Sequence, residues 1–227
     1  KQIIISTHSS FVANKLGLSN LILLKNGKTT RITDLESASF FQRIAGYDTL
    51  RLILCRKAIL VEGDSDELVV QRAYMDLHDG RLPIADGIDV ISVGLTFLRF
   101  LEIAEKLNIP AYVVTDNDGD VDALKKKYCN YLGDNAKPGI HICFDAIVDK
   151  KEEDTSGFNY NTLEPKLLKA NDLNTFNQVF NTKCASDDEM RHYMKRNKVE
   201  CALAIFNSGA ECNLPDFDCA DSAGIEP

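Results

Sequence analysis

"KAILVEGDSDELVVQRAYMDLH", residues 57–78, decides the fold. The apolar run from Ala58 to Val61 reads as a buried strand, and it ends at the acidic, glycine-containing loop Glu62-Gly63-Asp64. From there the pattern becomes that of an amphipathic helix, with Ser65 or Asp64 as its N-cap. The same order of parts recurs downstream. "IDVISVG" (88–94) is a strand and "LTFLRFLEIAEKLN" (95–108) a helix; "PAYVVTDNDGD" (110–120) is a strand ending again in acids, and "VDALKKKYCNYL" (121–132) is its helix. "HICFDA" (141–146) adds a further strand. Strands alternating with helices imply an α/β fold, a parallel sheet with right-handed crossovers and flanking helices.

In such sheets ligands collect beyond the carboxyl ends of the strands. Glu62 and Asp116 each stand where a buried strand runs out, so two acidic loops distant in sequence are expected at one edge. Asp66, early in the helix after Glu62, can face that edge, and Asp116 and Asp118, two apart, share a face if the segment is extended. Hard cations want oxygen ligands of this kind. Acids after strands also cap helices and complement their dipoles, so either pair alone has a structural reading; together, after two strands of one sheet, they favour a metal centre. An EF-hand is excluded. "DNDGD" starts like one, but Val121 stands where the loop needs glycine and a strand precedes it.

The rest of the chain sets bounds. With 227 residues, 44% of them hydrophobic, it can form one large domain, or one with a small appendage. No apolar run approaches the ~20 residues that cross a bilayer, and no leader pattern opens the chain, so a cytoplasmic, membrane-free protein is expected. Seven cysteines, scattered and never in a C-x-x-C pair, are expected as reduced, mostly buried thiols. The net charge of −8 argues against a uniformly basic nucleic-acid surface. It does not argue against a carboxylate cluster that receives phosphates once loaded with cations. Basic residues are available at Lys125, Lys126, Lys127, Arg191, Lys195, Arg196 and Lys198.

Towards the N-terminus, Ile3 to Ile5 read as a buried strand, and "NLILLKNGKTTRITDL" (20–35) as a hairpin turning at Asn26-Gly27. Residues 38–54 are expected as a helical connection. Residues 149–157 lack periodicity and are expected as a mobile loop. "NTLEPKLLKAN" (161–171) resumes helix, with Thr162 as N-cap and Pro165 in the first turn. Residues 186–206 read as helical with a break near Asn197, and the tail from Ser208 as frayed. The chain starts with Lys almost inside a strand, which reads as a piece of a longer protein.

"VEGDSDELVV" followed by a strand ending in "TDNDGD" resembles the Toprim domain, over about residues 57–132. "IIISTHSS" is similar to the switch-histidine strand of ABC-type ATPases, with His8 in the sensing position; "NTLEPKL" and "RNKVECALAIF" resemble segments that follow Toprim in the Overcoming Lysogenization Defect (OLD) family of nucleases. The resemblance implies three parts: the tail of an ATPase domain and a connection (1–54), a Toprim catalytic core (55–150) and a helical extension completing the site (151–227). It implies that Glu62, Asp66, Asp116, Asp118 and Glu164 bind metal, with Thr162 as a supporting oxygen and Lys198 as the essential base. Position 66 is more often Glu in the family, and Lys195 or Arg196 could fill the place of Lys198. The implied activity is that of a DNA endonuclease using two divalent cations, Mg²⁺ or alternatively Mn²⁺ or Ca²⁺, about 3.5–4 Å apart. Glu62, Asp116 and Asp118 would hold one or both, with Glu164 and Asp66 completing the second site. DNA is the implied partner, with a homodimer formed through the ATPase part of a parent protein. ATP would act only there, because no G-x-x-x-x-G-K-[ST] loop occurs in this chain. A topoisomerase- or primase-like Toprim module, a non-catalytic assembly module and an Asp-x-Asp phosphatase are the competing readings.

Overall fold

The computed structural model describes residues 3–7, 9, 12, 15, 20–25, 27–31, 47–150, 158–209, 212–213 and 218–219. His8, residues 38–46 and residues 151–157 lie outside them. Ile3, Ile4 and Ile5 are 82%, 87% and 53% exposed and form no strand, against the expectation of a buried one. An apolar triplet is driven inside only where a sheet edge and a covering layer meet it, and nothing among the described residues covers these three. The hairpin is present: β1 (Ile22–Lys25) pairs antiparallel with β2 (Lys28–Arg31). Gly27 supplies the positive φ of 72° that its turn requires.

The helix α1 (Tyr47–Leu54) leads into a run of alternating elements: β3 (Lys57–Val61), α2 (Asp64–Leu77), β4 (Ile88–Ser92), α3 (Phe97–Leu107), β5 (Ala111–Val114), α4 (Val121–Lys127) and β6 (Ile140–Phe144). The four strands are parallel in the order β4-β3-β5-β6. A fifth, β7 (Asp218–Cys219), pairs antiparallel with β6, so part of the tail expected to fray adds to the sheet. The chain first steps from β3 outward to β4, then returns past β3 to β5. The order of connection therefore reverses between β3 and β5, the two strands that end in acids.

Two apolar cores hold this arrangement. The first joins the sheet to α1, α3 and α4 through Leu50, Leu60, Phe97, Leu101, Val113 and Tyr128, with Leu23 of the hairpin added. Arg51 of α1 reinforces it, donating to Asp89 at 2.7 Å, Glu67 at 3.0 Å and the Val90 carbonyl at 2.6 Å. The second core lies under α5 (Leu163–Ala170), α6 (Leu173–Val179), α7 (Asp187–Arg196) and α8 (Lys198–Asn207). Val69 of α2 packs into it with Leu167, Phe176, Met190, Met194 and Ile205. Arg72 of α2 donates to the Ile205 and Phe206 carbonyls at 3.2 and 3.4 Å and to that of Ser208, closing the end of α8. The expected break at Asn197 separates α7 from α8.

Two local expectations change. Gly63, not Ser65 or Asp64, is the N-cap of α2, because the helix starts directly where β3 ends. Cys143 is disulfide-bonded, against the expectation of reduced thiols; of the free cysteines among the described residues only Cys201 and Cys212 are buried. Sequence spacing carried no signal for either. Among the described residues no helix is long and apolar enough to cross a membrane.

Candidate metal centre

β3 and β5 are hydrogen-bonded neighbours, with Leu60 opposite Val113, so the loops that leave them emerge side by side. At the end of β3, Glu62 is exposed, and its carbonyl accepts from the Gly94 amide at 3.0 Å. One turn later Asp66 folds back on the loop, its Oδ2 accepting the Gly63 N–H at 2.9 Å. That bond satisfies one of the amides a helix start leaves over.

The loop after β5 is a turn rather than the extended segment expected. Asp118 sits at φ 49° and Gly119 at 82°, and a Cβ on Gly119 would come within 3.2 Å of the Asn161 amide nitrogen. Buried Asn117 sets the turn. Its side-chain amide donates to the Asp145 and Ile147 carbonyls at 2.7 and 2.9 Å, and its Oδ1 accepts the Gly119 N–H at 2.8 Å. Asp116 and Asp118 are therefore brought together by a turn and not by the alternation of a strand. Asp116 Oδ2 accepts the Leu163 N–H at 3.2 Å, docking the start of α5 on this loop. Asp118 accepts from Asn159 at 3.0 Å. Asp120 turns away as the N-cap of α4, accepting the Ala123 N–H at 2.9 Å.

The helical extension supplies the rest. Thr162 is the N-cap of α5, yet its hydroxyl makes no capping bond and lies 3.4 Å from Glu164 Oε2. Glu164 is 5% exposed, and its Oε1 is 3.0 Å from the Lys198 ammonium. Lys198 is the first residue of α8, where the helix dipole disfavours a cation. The acids beside it offset that cost. Of the basic residues at 195, 196 and 198, Lys198 is the one that ion-pairs with Glu164.

The proximity of these groups perturbs their titration. Burial, then the charge of Asp66, with Asp118 and Glu164 adding, pushes the Asp116 carboxyl up to about 8; the Leu163 amide opposes this only in part. Asp66 is pushed up to about 6 by burial, then by Glu164 and Glu62, against the Gly63 amide. Burial pulls Lys198 down, but the hydrogen bond and charge of Glu164, then Asp116 and Asp66, leave it above the ordinary range. The positions named from the sequence, Glu62, Asp66, Asp116, Asp118, Thr162, Glu164 and Lys198, thus occupy one neighbourhood.

Among the described residues no three Asp, Glu, His or Cys side chains already close on a point in the geometry of a bound ion. The donor set nonetheless fits hard divalent cations: five carboxylates and a hydroxyl, all oxygen, against a single ammonium. What the cluster lacks is positive charge, as the raised Asp66 and Asp116 register.

Sequence reasoning missed the residues that hold the loops. Lys166 of α5 is 6% exposed, and its ammonium reaches Asp145 at 2.5 Å, Asp149 at 2.7 Å and the Ile147 carbonyl at 3.1 Å. Asn161 both accepts from the Asp149 N–H at 2.7 Å and donates to its carbonyl at 3.0 Å. The one available signal was a lysine on the apolar side of a short helix.

Residues 53–118 match the family model described as the Overcoming lysogenization defect protein-like TOPRIM domain. Among solved structures the chain is similar to the C-terminal region of the Burkholderia pseudomallei OLD protein, with 20% identity over 67% of this chain and 87% of that one and a TM-score of 0.45. It is also similar to the C-terminal region of the Xanthomonas campestris pv. campestris OLD protein, with 24% identity over 70% and 88% of the two chains and a TM-score of 0.47. No curated protein matches the chain in sequence. Residues 53–118, which bear Glu62, Asp66, Asp116 and Asp118, therefore carry an Overcoming lysogenization defect protein-like TOPRIM domain.

Proposed function

We propose that this chain is the nuclease region of a metal-dependent DNA endonuclease. The observation that carries the reading is the meeting of Asp66, Asp116 and Glu164 with Lys198 at the carboxyl edge of a TOPRIM sheet. Glu62, Asp116 and Asp118 would hold one or both divalent cations, and Asp66, Glu164 and the Thr162 hydroxyl would complete a second site. When bound, such cations supply charge stabilisation to the attacking and leaving oxygens of an in-line phosphodiester displacement.

The chain's own groups do the remaining work. Asp116 keeps α5 docked through the Leu163 amide, so Glu164 faces the acids of the sheet. Lys198, its side chain half exposed beside buried Glu164, is the cation able to stabilise charge developing on the scissile phosphate or the leaving oxygen. Among the described residues no side chain of the cluster is placed to read a base edge, so cleavage is expected to show little sequence preference.

The test is conversion of supercoiled plasmid to nicked and linear forms with magnesium, manganese, calcium or chelator. Nicking is expected with a divalent cation and not with chelator. Lys198→Met is expected to slow it by about 10²–10³-fold, the usual effect of losing one preorganised charge-stabilising group. A chelator-resistant activity, or full activity in Lys198→Met, contradicts the reading.

A further inference from the structure

Beside the acids lies a group of rings and cations that the proposed chemistry does not use. Phe158 directly precedes Asn159, whose amide holds Asp118 at 3.0 Å. Its ring meets Tyr160 edge-on at 5.0 Å and the exposed His192 of α7 at 6.0 Å. The ammonium of exposed Lys195 stands over the Phe158 ring at 5.3 Å, and the Arg191 guanidinium over Tyr160 at 5.2 Å. Arg191 also pairs with Asp188, which fixes that cation to the helix. Along α7 the charge is polarised: Asp187, Asp188 and Glu189 occupy the first turn, while Lys195 and Arg196 occupy the last, next to Lys198. The basic end and the rings thus lie at the same margin of the centre.

Flat rings interleaved with cations suit a strand whose bases are unpaired: each base offers a π-face to a ring, and its phosphate a charge to a lysine. A duplex keeps its bases stacked inside and can offer the same surface only phosphates.

We propose that Phe158, His192 and Lys195 form a platform for an unpaired nucleotide of a DNA strand, one residue from the side chain that holds Asp118. A base rests on the Phe158 and His192 rings, Lys195 takes its phosphate, and the strand is led past Lys198 to the acids. The substrate class follows: single-stranded DNA, or duplex opened by a nick, gap or frayed end. The inference rests on the nuclease reading for its biological sense, but its contacts can be tested without cleavage.

The test is fluorescence anisotropy in calcium with a labelled oligothymidylate of roughly 12 nucleotides, within the range of such sites, and with a duplex of the same length. Gels of the same samples establish that the strands are intact. The wild type is expected to bind the single strand more tightly than the duplex. Phe158→Leu and His192→Ala are expected to weaken single-strand binding by about 10-fold, a typical loss of one stacked base, and duplex binding by less than about 2-fold. Phe158→Trp is expected to restore it. Lys195→Gln is expected to weaken both and to lower the salt dependence by about one phosphate contact. Equal effects of the ring variants on both DNAs, or no effect on either, overturn the platform. If the wild type binds through Phe158 yet never nicks plasmid, the nuclease reading falls and the platform stands. If it nicks while the ring variants bind normally, the platform falls alone.

Discussion

Asp116 is the residue on which the electrostatics of the centre turn. It is held among Asp66, Asp118 and Glu164, and burial and these charges raise its carboxyl to about 8. A carboxyl whose folded pKa exceeds its unfolded value favours folding while protonated. That contribution is full below about pH 4 and is lost as pH rises through the folded value. Asp66, raised to about 6, acts in the same direction at lower pH. In chelator the melting temperature is therefore expected to fall from about pH 5 to about pH 8.5, to fall less in Asp116→Asn, and to recover at the higher pH when magnesium is added. A melting temperature that rises over this window removes the coupling argued for Asp116. Individual acids were legible in the sequence because each followed an apolar run. Their partners were not: Asn117, Asn161 and Lys166 act through contacts made only after β6 and α5 have packed.

At the scale of elements, the loops bearing the acids are set by neighbours more than by their own composition. Lys166 of α5 ties down Asp145 and Asp149 after β6, and Asn117 holds the same segment through the Asp145 and Ile147 carbonyls. Lys166→Met leaves Asp145 without its cation and Asp149 with Lys169 alone, at 2.6 Å. The cost is expected to be below the ~3–5 kcal/mol of a fully buried pair, because Asp145 and Asp149 remain about 23% exposed. Urea denaturation reads it, and a shift within about 0.5 kcal/mol, as for an ordinary surface change, removes the clamp. Strands and helices between 57 and 144 were legible because apolar runs and helical spacing are local signals. The turn at Asp118 was not, since spacing of two reads as extended backbone until φ is known. Ile3 to Ile5 failed for the converse reason: apolar character was present, but a covering layer cannot be read from three residues.

Across the whole molecule, two cores meet at the centre. The sheet's core positions Glu62, Asp66, Asp116 and Asp118, and the helical core beneath α5–α8 positions Glu164 and Lys198. Ile205→Ala, remote from the acids but fully buried in the second core, is expected to cost about 2–5 kcal/mol and to lower nicking along with it; unchanged stability in urea contradicts this division. The helical core was the least legible part of the fold, because its four short helices bury their apolar faces on one another and on Val69, a residue far away in sequence. The matching family segment ends at residue 118 and so leaves Glu164 and Lys198 to be argued from geometry. The most direct test compares two aspartates four residues apart. Asp116 faces the acids, whereas Asp120 caps α4. In magnesium, Asp116→Ala is expected to abolish plasmid nicking, while Asp120→Ala is expected to lose about 1 kcal/mol of stability and keep the wild-type nicking rate. Loss of nicking in both variants alike, or in neither, contradicts a catalytic centre built on Asp116.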